Sequence, residues 1–168
     1  QCQMTVQSHA PLPLVVLRAI IALSLLWNMK QFALAVWSSF VFLLRPSEVC
    51  GLCVKDFKFS YQTLDRPGAL AVVLERHKTR RTTKLSAHVR VVDVCLEQAL
   101  SGLLRDKAPS DLAFGLSPAK YRASLASVLR YLGAPAGVYT PASMRAGGAV
   151  ALLRSGMSVP DIMFLGRW

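Results

Sequence analysis

The chain has 168 residues, of which 53% are hydrophobic and 17% are charged. It is long enough for one folded domain with a sizeable core and too apolar to be intrinsically disordered. Lysine and arginine number 20 against 9 acidic residues, which leaves a net charge of +11. This excess favours a polyanionic partner, namely DNA, RNA or an anionic membrane surface.

The acidic residues are unevenly placed along the chain. None occurs between Glu75 and Asp93, and none between Asp111 and Asp161. We therefore expect positive potential to be concentrated in these two intervals.

The apolar sequence from Leu14 to Leu44 is interrupted by Arg18 and Lys30. A membrane-spanning helix needs roughly 20 apolar residues, so we expect two buried helices here and no membrane partner. The predicted helices run from about Leu14 to Asn28 and from about Gln31 to Leu43. The abrupt start at Gln1 suggests a piece of a longer protein.

A short helix and a small sheet are predicted next. Pro46 ends the preceding helical pattern, and Ser47 is expected to cap a helix that ends at Leu52. The alternation typical of strands follows, with turn sequences at Asp65–Gly68 and His77–Thr83. The predicted strands are Val54 to Ser60, Ala69 to Glu75 and roughly Lys84 to Val92, which together form a three-stranded antiparallel sheet.

Helical patterns return after Asp93, and three of the four predicted helices follow a capping sequence. The predicted helices are Val94 to Lys107, Ser117-Pro118 to Leu132, Thr140-Pro141 to about Ser155, and Ser158 to Leu165. The fold class is therefore α+β, mainly α, with one domain over residues 1–168.

The cysteines do not indicate a metal centre. Cys50 and Cys53 have the spacing of a zinc knuckle, but no second Cys/His pair lies at a suitable distance. We expect reduced thiols in an intracellular protein, with no metal and no cofactor.

Two arginines are the principal candidates for chemistry. Arg45 lies in the motif Leu44–Leu52, and Arg145 lies in Ser143–Ala149. Two rigidly held guanidinium groups match the charge that develops on the non-bridging oxygens of a phosphodiester during transfer. The pair Gly147-Gly148 is costly inside a helix, at roughly 1 kcal/mol per glycine. It makes sense if another backbone, such as the one carrying Arg45, packs closely there.

A basic segment lies between the two arginines. Lys78 is expected at a hairpin tip, where a mobile cation could enter a DNA groove and reach a leaving group. The alternative is a simple phosphate-contacting charge. The neighbouring candidates for DNA binding are Arg76, His77, Arg80, Arg81 and Lys84.

The order of these motifs resembles the catalytic domain of tyrosine recombinases (phage-type integrases), from about Leu14 to Trp168. The shared order is an arginine, a hairpin lysine, a second arginine and a terminal Gly-Arg-Trp. The resemblance implies a helical DNA breaking-and-rejoining domain, acting on double-stranded DNA through a 3′-phosphotyrosine without a metal. It implies that Arg45 and Arg145 clamp the scissile phosphate, and that Lys78 gives a proton to the departing 5′ oxygen.

The resemblance also assigns roles around the two arginines. Arg167 and Trp168 match the family's His or Trp ahead of the nucleophile, so either could approach the phosphate as a catalytic residue. Glu48 follows the first arginine as an acid does in this family, which implies that it orients Arg45 or a neighbouring amide. An ordinary exposed helix acid is the alternative for Glu48.

The sequence departs from the family's pattern in three respects. Ala142 stands where a histidine is common, three residues before Arg145, and alanine can neither transfer a proton nor bind a phosphate. The nucleophilic tyrosine is expected about nine residues beyond Trp168, and the N-terminal DNA-clamping domain is missing as well. The tyrosines present are expected to pack or to contact phosphate: Tyr61, Tyr121, Tyr131 and Tyr139.

Three hypotheses follow. The first is a recombinase or integrase catalytic domain of mobile DNA, in the nucleus or nucleoid, that could self-associate on DNA. The second is a catalytically inactive DNA-binding module on the same scaffold. The third is an unrelated basic helical interaction domain, which predicts that Arg45 and Arg145 lie far apart.

Overall fold

The computed structural model describes residues 10–63, 67–74 and 87–168. Within these ranges the chain is mainly helical with one small antiparallel sheet, so the predicted fold class is confirmed. The elements in chain order are α1 (Leu14–Leu26), α2 (Lys30–Val41), α3 (Pro46–Gly51), a 3₁₀ turn (Val54–Asp56), β1 (Phe57–Lys58), α4 (Ser60–Thr63), β2 (Ala69–Leu74), β3 (Ala87–Val92), α5 (Val94–Leu104), α6 (Pro118–Tyr131), α7 (Pro141–Arg154) and α8 (Val159–Gly166).

Helix α2 lies at the centre of the fold. It packs against α1, α3, α5 and α7, and most of its side chains are buried, including Phe32, Val36 and Phe40. Of the two buried serines of this helix, Ser39 donates its hydroxyl to the carbonyl of Ala35 at 2.8 Å, whereas the hydroxyl of Ser38 has no partner among the described residues. The interruption that separates α1 from α2 includes Asn28, whose φ of 57° ends the first helix.

The sheet has the order β1-β2-β3, with every pair antiparallel, as predicted. Ala69 pairs with Val92 and Leu74 with Ala87, so β2 and β3 are paired along their full length. The predicted turn between them, His77–Thr83, lies outside the described residues, as do the predicted strand ends at Glu75 and Lys84.

The predicted first strand, Val54–Ser60, is wrong over most of its length. Only Phe57 and Lys58 pair with β2, because the backbone N–H groups before them have other acceptors. Val54 donates to the carbonyl of Asp111 at 3.0 Å, and Lys55 donates to Pro109 at 2.9 Å. The carboxylate of Asp56 accepts from the N–H of Cys53 at 2.8 Å and closes the 3₁₀ turn instead.

Two of the capping predictions are confirmed. Ser117 accepts from the N–H of Lys120 at 3.2 Å, and Ser158 accepts from Asp161 at 3.3 Å. The predicted cap at Ser47 is wrong, because that residue already lies inside α3. Pro46 takes the first helical position, where its missing N–H is not needed.

Helix α7 lies directly against the chain around α2. A Cβ on Gly148 would lie 2.1 Å from the carbonyl oxygen of Phe40, and one on Gly147 would lie 2.2 Å from that of Leu12. The expectation of a close backbone is therefore confirmed, with Phe40 lying five residues before Arg45. Glycine at these positions brings α7 within contact of the segment that leads into α3.

Within the described ranges, none of the helices combines the length and the apolar character needed to cross a membrane.

Candidate functional site

Five predicted site residues meet at one place, where α3, α7 and the end of α8 come together. Arg45 immediately precedes α3 and Arg145 lies in the second turn of α7. We call this group the arginine cluster, and its members are Arg45, Glu48, Arg145, Arg167 and Trp168.

Glu48 is the buried centre of the arginine cluster, with 6% of its side chain exposed. Its Oε2 atom accepts from the backbone N–H of Arg45 at 2.7 Å and from Nη2 of Arg167 at 2.8 Å. Its Oε1 atom lies 3.9 Å from Nη1 of Arg45. One carboxylate therefore caps α3 and ties it to the end of α8, so Glu48 is not an ordinary exposed acid.

Arg167 ends α8 in the left-handed conformation, with a φ of 58°. Besides Glu48, its guanidinium contacts two backbone carbonyl oxygens: Nη2 donates to Leu43 at 3.1 Å and Nη1 donates to Leu165 at 3.1 Å. Burial lowers the pKa of Arg167, the carboxylate of Glu48 opposes that effect, and the charge of Arg45 adds to it.

Arg145 is almost completely buried, with 8% of the residue exposed. Its Nη2 donates to the carbonyl of Gly166, and its Cζ lies 4.7 Å from the centroid of the Trp168 ring. Its Nη1 is buried and has no partner among the residues that the structure describes. A Cβ on Gly166 would lie 2.3 Å from the Trp168 ring, so glycine is needed for that ring to fold back.

The electrostatics of the arginine cluster favour an anion. The pKa of Arg145 is lowered to about 10, first by burial and then by the charges of Arg167 and Arg45, while the carboxylate of Glu48 opposes the shift. Arg145 therefore stays protonated near neutral pH. Three guanidinium groups near one carboxylate leave an excess of two positive charges, and a buried donor of Arg145 has no acceptor within the described ranges. This arrangement fits a phosphate or another oxyanion.

The predicted hairpin residues are not among those that the structure describes. The residues concerned lie outside the described part of the chain: Arg76, His77, Lys78, Arg80, Arg81 and Lys84. The described end of β2 at Leu74 lines a cavity of about 440 Å³ together with Ser47, Glu48 and Lys55. The strand that leads toward Lys78 therefore ends beside the arginine cluster.

Ala142 lies in the first turn of α7, exposed, one turn before Arg145. The four tyrosines have contacts of other kinds. Tyr121 is buried against Phe32, and the remaining three are placed as follows: Tyr61 stacks on Phe59, Tyr131 lies edge-on to Trp27, and Tyr139 packs against the core.

Two contributors to the site were missed from the sequence, namely the backbone carbonyls of Leu43 and Gly166. Every residue has a main-chain oxygen, so the residue type does not indicate which of these oxygens accept a hydrogen bond at the site. The left-handed backbone of Leu43, with a φ of 52°, is also unusual for a leucine and has no sequence signal.

Among the described residues, no group of His, Cys, Asp and Glu side chains is placed to hold a metal ion. Cys50 and Cys53 are free thiols, and burial raises the pKa of Cys50 while the charge of Arg122 opposes that effect.

No protein-family model and no curated protein matches the sequence. Solved structures do match. The Tn1549 transposon integrase in complex with transposon right-end DNA has a TM-score of 0.67 at 15% identity, covering 96% of this chain and 58% of that one. The XerH site-specific recombinase bound to difH in a pre-cleavage complex has a TM-score of 0.69 at 15% identity, covering 93% and 46%. XerA recombinase has a TM-score of 0.69 at 15% identity, covering 95% and 55%.

The chain thus has the fold of the tyrosine recombinase catalytic domain, as the resemblance predicts. It spans about half the length of these recombinases and integrases.

Proposed function

We propose that this chain is the catalytic domain of a tyrosine recombinase, which binds double-stranded DNA and holds a scissile phosphate between Arg45 and Arg145. The proposal rests above all on Nη1 of Arg145, which is buried, carries charge, has no partner among the described residues and lies near a second arginine. It is supported by the fold, which this chain shares with a recombinase solved on its DNA substrate. The net charge of +11 suits a nucleic-acid partner.

In the proposed reaction, a tyrosine oxygen attacks the phosphorus and the bond to the 5′ oxygen breaks. The four tyrosines of this sequence precede Arg145, so the nucleophile would come from outside these residues, in a longer chain or a partner copy. Arg45 and Arg145 stabilise the charge on the non-bridging oxygens. Lys78 donates a proton to the departing oxygen, and a DNA hydroxyl later attacks the phosphotyrosine to rejoin the strand.

A catalytically inactive DNA-binding module is the second candidate, and Ala142 favours it. At that position the side chain carries no proton acceptor and no hydrogen-bond donor, so the tyrosine proton would have to leave to water or to another group. The arginine cluster would then bind a phosphate without cleaving the strand.

The proposed activity also implies a location and an assembly. A recombinase acts where DNA is, so we place the protein in the nucleus or nucleoid. Exchange of strands between two duplexes needs more than one active site, so we expect self-association on DNA.

The test uses the full-length protein and a nicked duplex that traps the covalent intermediate. We expect wild-type protein to form a covalent adduct, and Arg145→Ala to slow its formation by about 10²–10³-fold, the typical loss for a preorganised charge donor. Arg154→Ala is the matched control, because Arg154 is exposed at the far end of the same helix. It should change the rate by about twofold or less.

Duplex binding is measured in parallel as a function of salt. The affinity should fall steeply with ionic strength, because phosphate contacts release counterions. Salt-sensitive binding without any adduct would favour the inactive module. Equal rates for Arg145→Ala and Arg154→Ala would contradict the proposed site.

A further inference from the structure

The guanidinium of Arg167 contacts three protein acceptors, while its buried Nε has no partner among the described residues. Nη2 donates to Glu48 and to the carbonyl of Leu43, and Nη1 donates to Leu165. Its side chain is 12% exposed, against 26% for Arg45. A guanidinium has five N–H donors, and these contacts occupy both hydrogens of Nη2.

The contacts of Arg167 extend to both of the proposed phosphate ligands. Through Glu48 it reaches Arg45, because the oxygen that accepts from Arg167 also accepts from the backbone N–H of Arg45. Its own chain neighbours hold Arg145: the carbonyl of Gly166 accepts from the guanidinium and the ring of Trp168 covers it. Anchoring Arg167 therefore fixes the backbone turn on which Arg145 depends.

The backbone conformation of Arg167 also supports an anchoring role for its side chain. A φ of 58° favours glycine at the end of a helix, and an arginine there adopts a conformation that non-glycine residues rarely take. Local backbone preference does not account for an arginine at this position, whereas its contacts with Glu48 and Leu43 do.

We propose that Arg167 is a positioning residue, which sets Arg45 and Arg145 for the phosphate through Glu48 and the Gly166–Trp168 turn and does not itself bind the phosphate. The inference rests on the proposed function. If it is correct, Arg167 holds both Arg45 and Arg145 in place, so that one side chain fixes the positions of both proposed phosphate ligands.

The first test is a double-mutant cycle in the full-length protein with Glu48→Gln, Arg167→Gly and the double variant. Glycine suits the left-handed backbone, so Arg167→Gly removes the contacts without straining the turn. We expect Arg167→Gly to slow adduct formation by about 100-fold, because misplaced groups lose catalytic power even when present. The double variant should be no slower than the slower single variant, since both changes break one connection.

The second test replaces the scissile phosphate by a methylphosphonate, which carries no negative charge on its non-bridging atoms. A group that neutralises that charge is needed less on this substrate, so the defect of Arg145→Ala should shrink. The defect of Arg167→Gly should shrink in parallel, because Arg167 acts only through Arg45 and Arg145. In an Arg145→Ala background, Arg167→Gly should cause much less than its own loss of about 100-fold. Arg167→Lys should restore only part of the rate, since lysine lacks the planar fork.

Two results would overturn the inference. One is an Arg167→Gly defect that multiplies in full with that of Glu48→Gln and with that of Arg145→Ala, which would mean direct phosphate contact. The other is an unchanged rate in Arg167→Gly.

If the wild-type protein forms no adduct, the proposed chemistry fails separately. For the same set of variants, the affinity for the phosphate duplex is then measured and divided by the affinity for the methylphosphonate duplex. Non-additive losses of that preference would support positioning, and additive losses would contradict it.

Discussion

The molecule has two basic regions that are built differently. In the arginine cluster the guanidinium groups are partly or wholly buried. Those of Arg45 and Arg167 share the carboxylate of Glu48, and those of Arg145 and Arg167 donate to backbone carbonyls. A groove of about 570 Å³ between β1 and the end of α5 is lined by the exposed cations Lys55, Lys58 and Arg105. Buried, fixed charges are aligned before a ligand arrives, whereas exposed ones are solvated and must be ordered by it. The same charge therefore suits chemistry in one region and only general attraction in the other.

Removing one cation from each region tests whether the two regions differ in function. Arg45→Ala should slow adduct formation on a nicked duplex by about 10²–10³-fold in the full-length protein. Arg105→Ala, the matched control from the groove, should leave the rate within about twofold. It should reduce the salt dependence of duplex binding by at most about one unit of slope, and only if Arg105 contacts a phosphate.

Single-turnover rates and salt titrations of the two variants check both expectations. If Arg105→Ala slowed the reaction as much as Arg45→Ala, the groove would be part of the reactive site and the distinction would fail.

The next largest effect concerns the scaffold beneath the arginine cluster. A Cβ at Gly148 would meet the carbonyl oxygen of Phe40 at 2.1 Å and Cδ2 of Leu43 at 2.6 Å. Because the first of these is backbone, relief requires α7 to move. We expect Gly148→Ala to lower the free energy of unfolding by about 3 kcal/mol.

Gly102→Ala is the matched control for Gly148→Ala. Gly102 also lies inside a helix, α5, and nothing lies within 4 Å of the Cβ it would carry. This change should raise the free energy of unfolding by about 1 kcal/mol, the usual helix preference of alanine over glycine. Urea unfolding of both variants measures the difference. Equal stabilities would mean that α7 does not need this close approach.

The sequence predicts the scaffold of the site well because its signals are local. Ser117 and Ser158 cap their helices as expected, and the paired glycines indicate a close backbone. The likeness to a recombinase domain also indicates which of the 20 basic residues are candidates for the site, including Arg45 and Arg145.

The first strand and the first cap show where local signals fail. Val54–Ser60 alternates as a strand should, yet the residues around Pro109 take its hydrogen bonds from a distance along the chain. Ser47 is a good capping residue, but the carboxylate of Glu48 accepts from the N–H of Arg45 instead. In both cases a tertiary or competing contact overrides a local preference.

The arrangement of Arg167 could not be predicted for the same reason. Its partner Glu48 lies 119 residues away, and its other partners include the backbone of Leu43, 124 residues away. The resemblance to the family predicts that Arg167 lies near the phosphate. The direction of its side chain, however, is set by the left-handed turn that ends α8.

The smallest predicted effect concerns Glu97, a structural carboxylate that lies outside the arginine cluster. Glu97 is buried, and its two oxygens accept from the N–H groups of Ser60 at 2.6 Å and Gly68 at 2.7 Å. Burial alone would raise the pKa of Glu97, but the hydrogen bonds from Ser60 and Gly68 outweigh it, so the pKa lies below its ordinary value of 4.5. The ionised form therefore stabilises the fold at all pH values above that range, and this stabilisation is lost as the pH falls through the lowered pKa.

Glu97→Gln should accordingly lower the free energy of unfolding by about 1.5 kcal/mol at pH 7, since the amide replaces one acceptor by a donor facing an N–H group. The difference from wild type should shrink as the pH is lowered toward 3, where the glutamate is itself neutral. Asp106→Asn, at an exposed position, should show a smaller change at either pH. Urea unfolding across this pH range measures the trend. A deficit in Glu97→Gln that stayed constant with pH would mean that side-chain shape, and not charge, holds the start of α4 and the residue before β2 to α5.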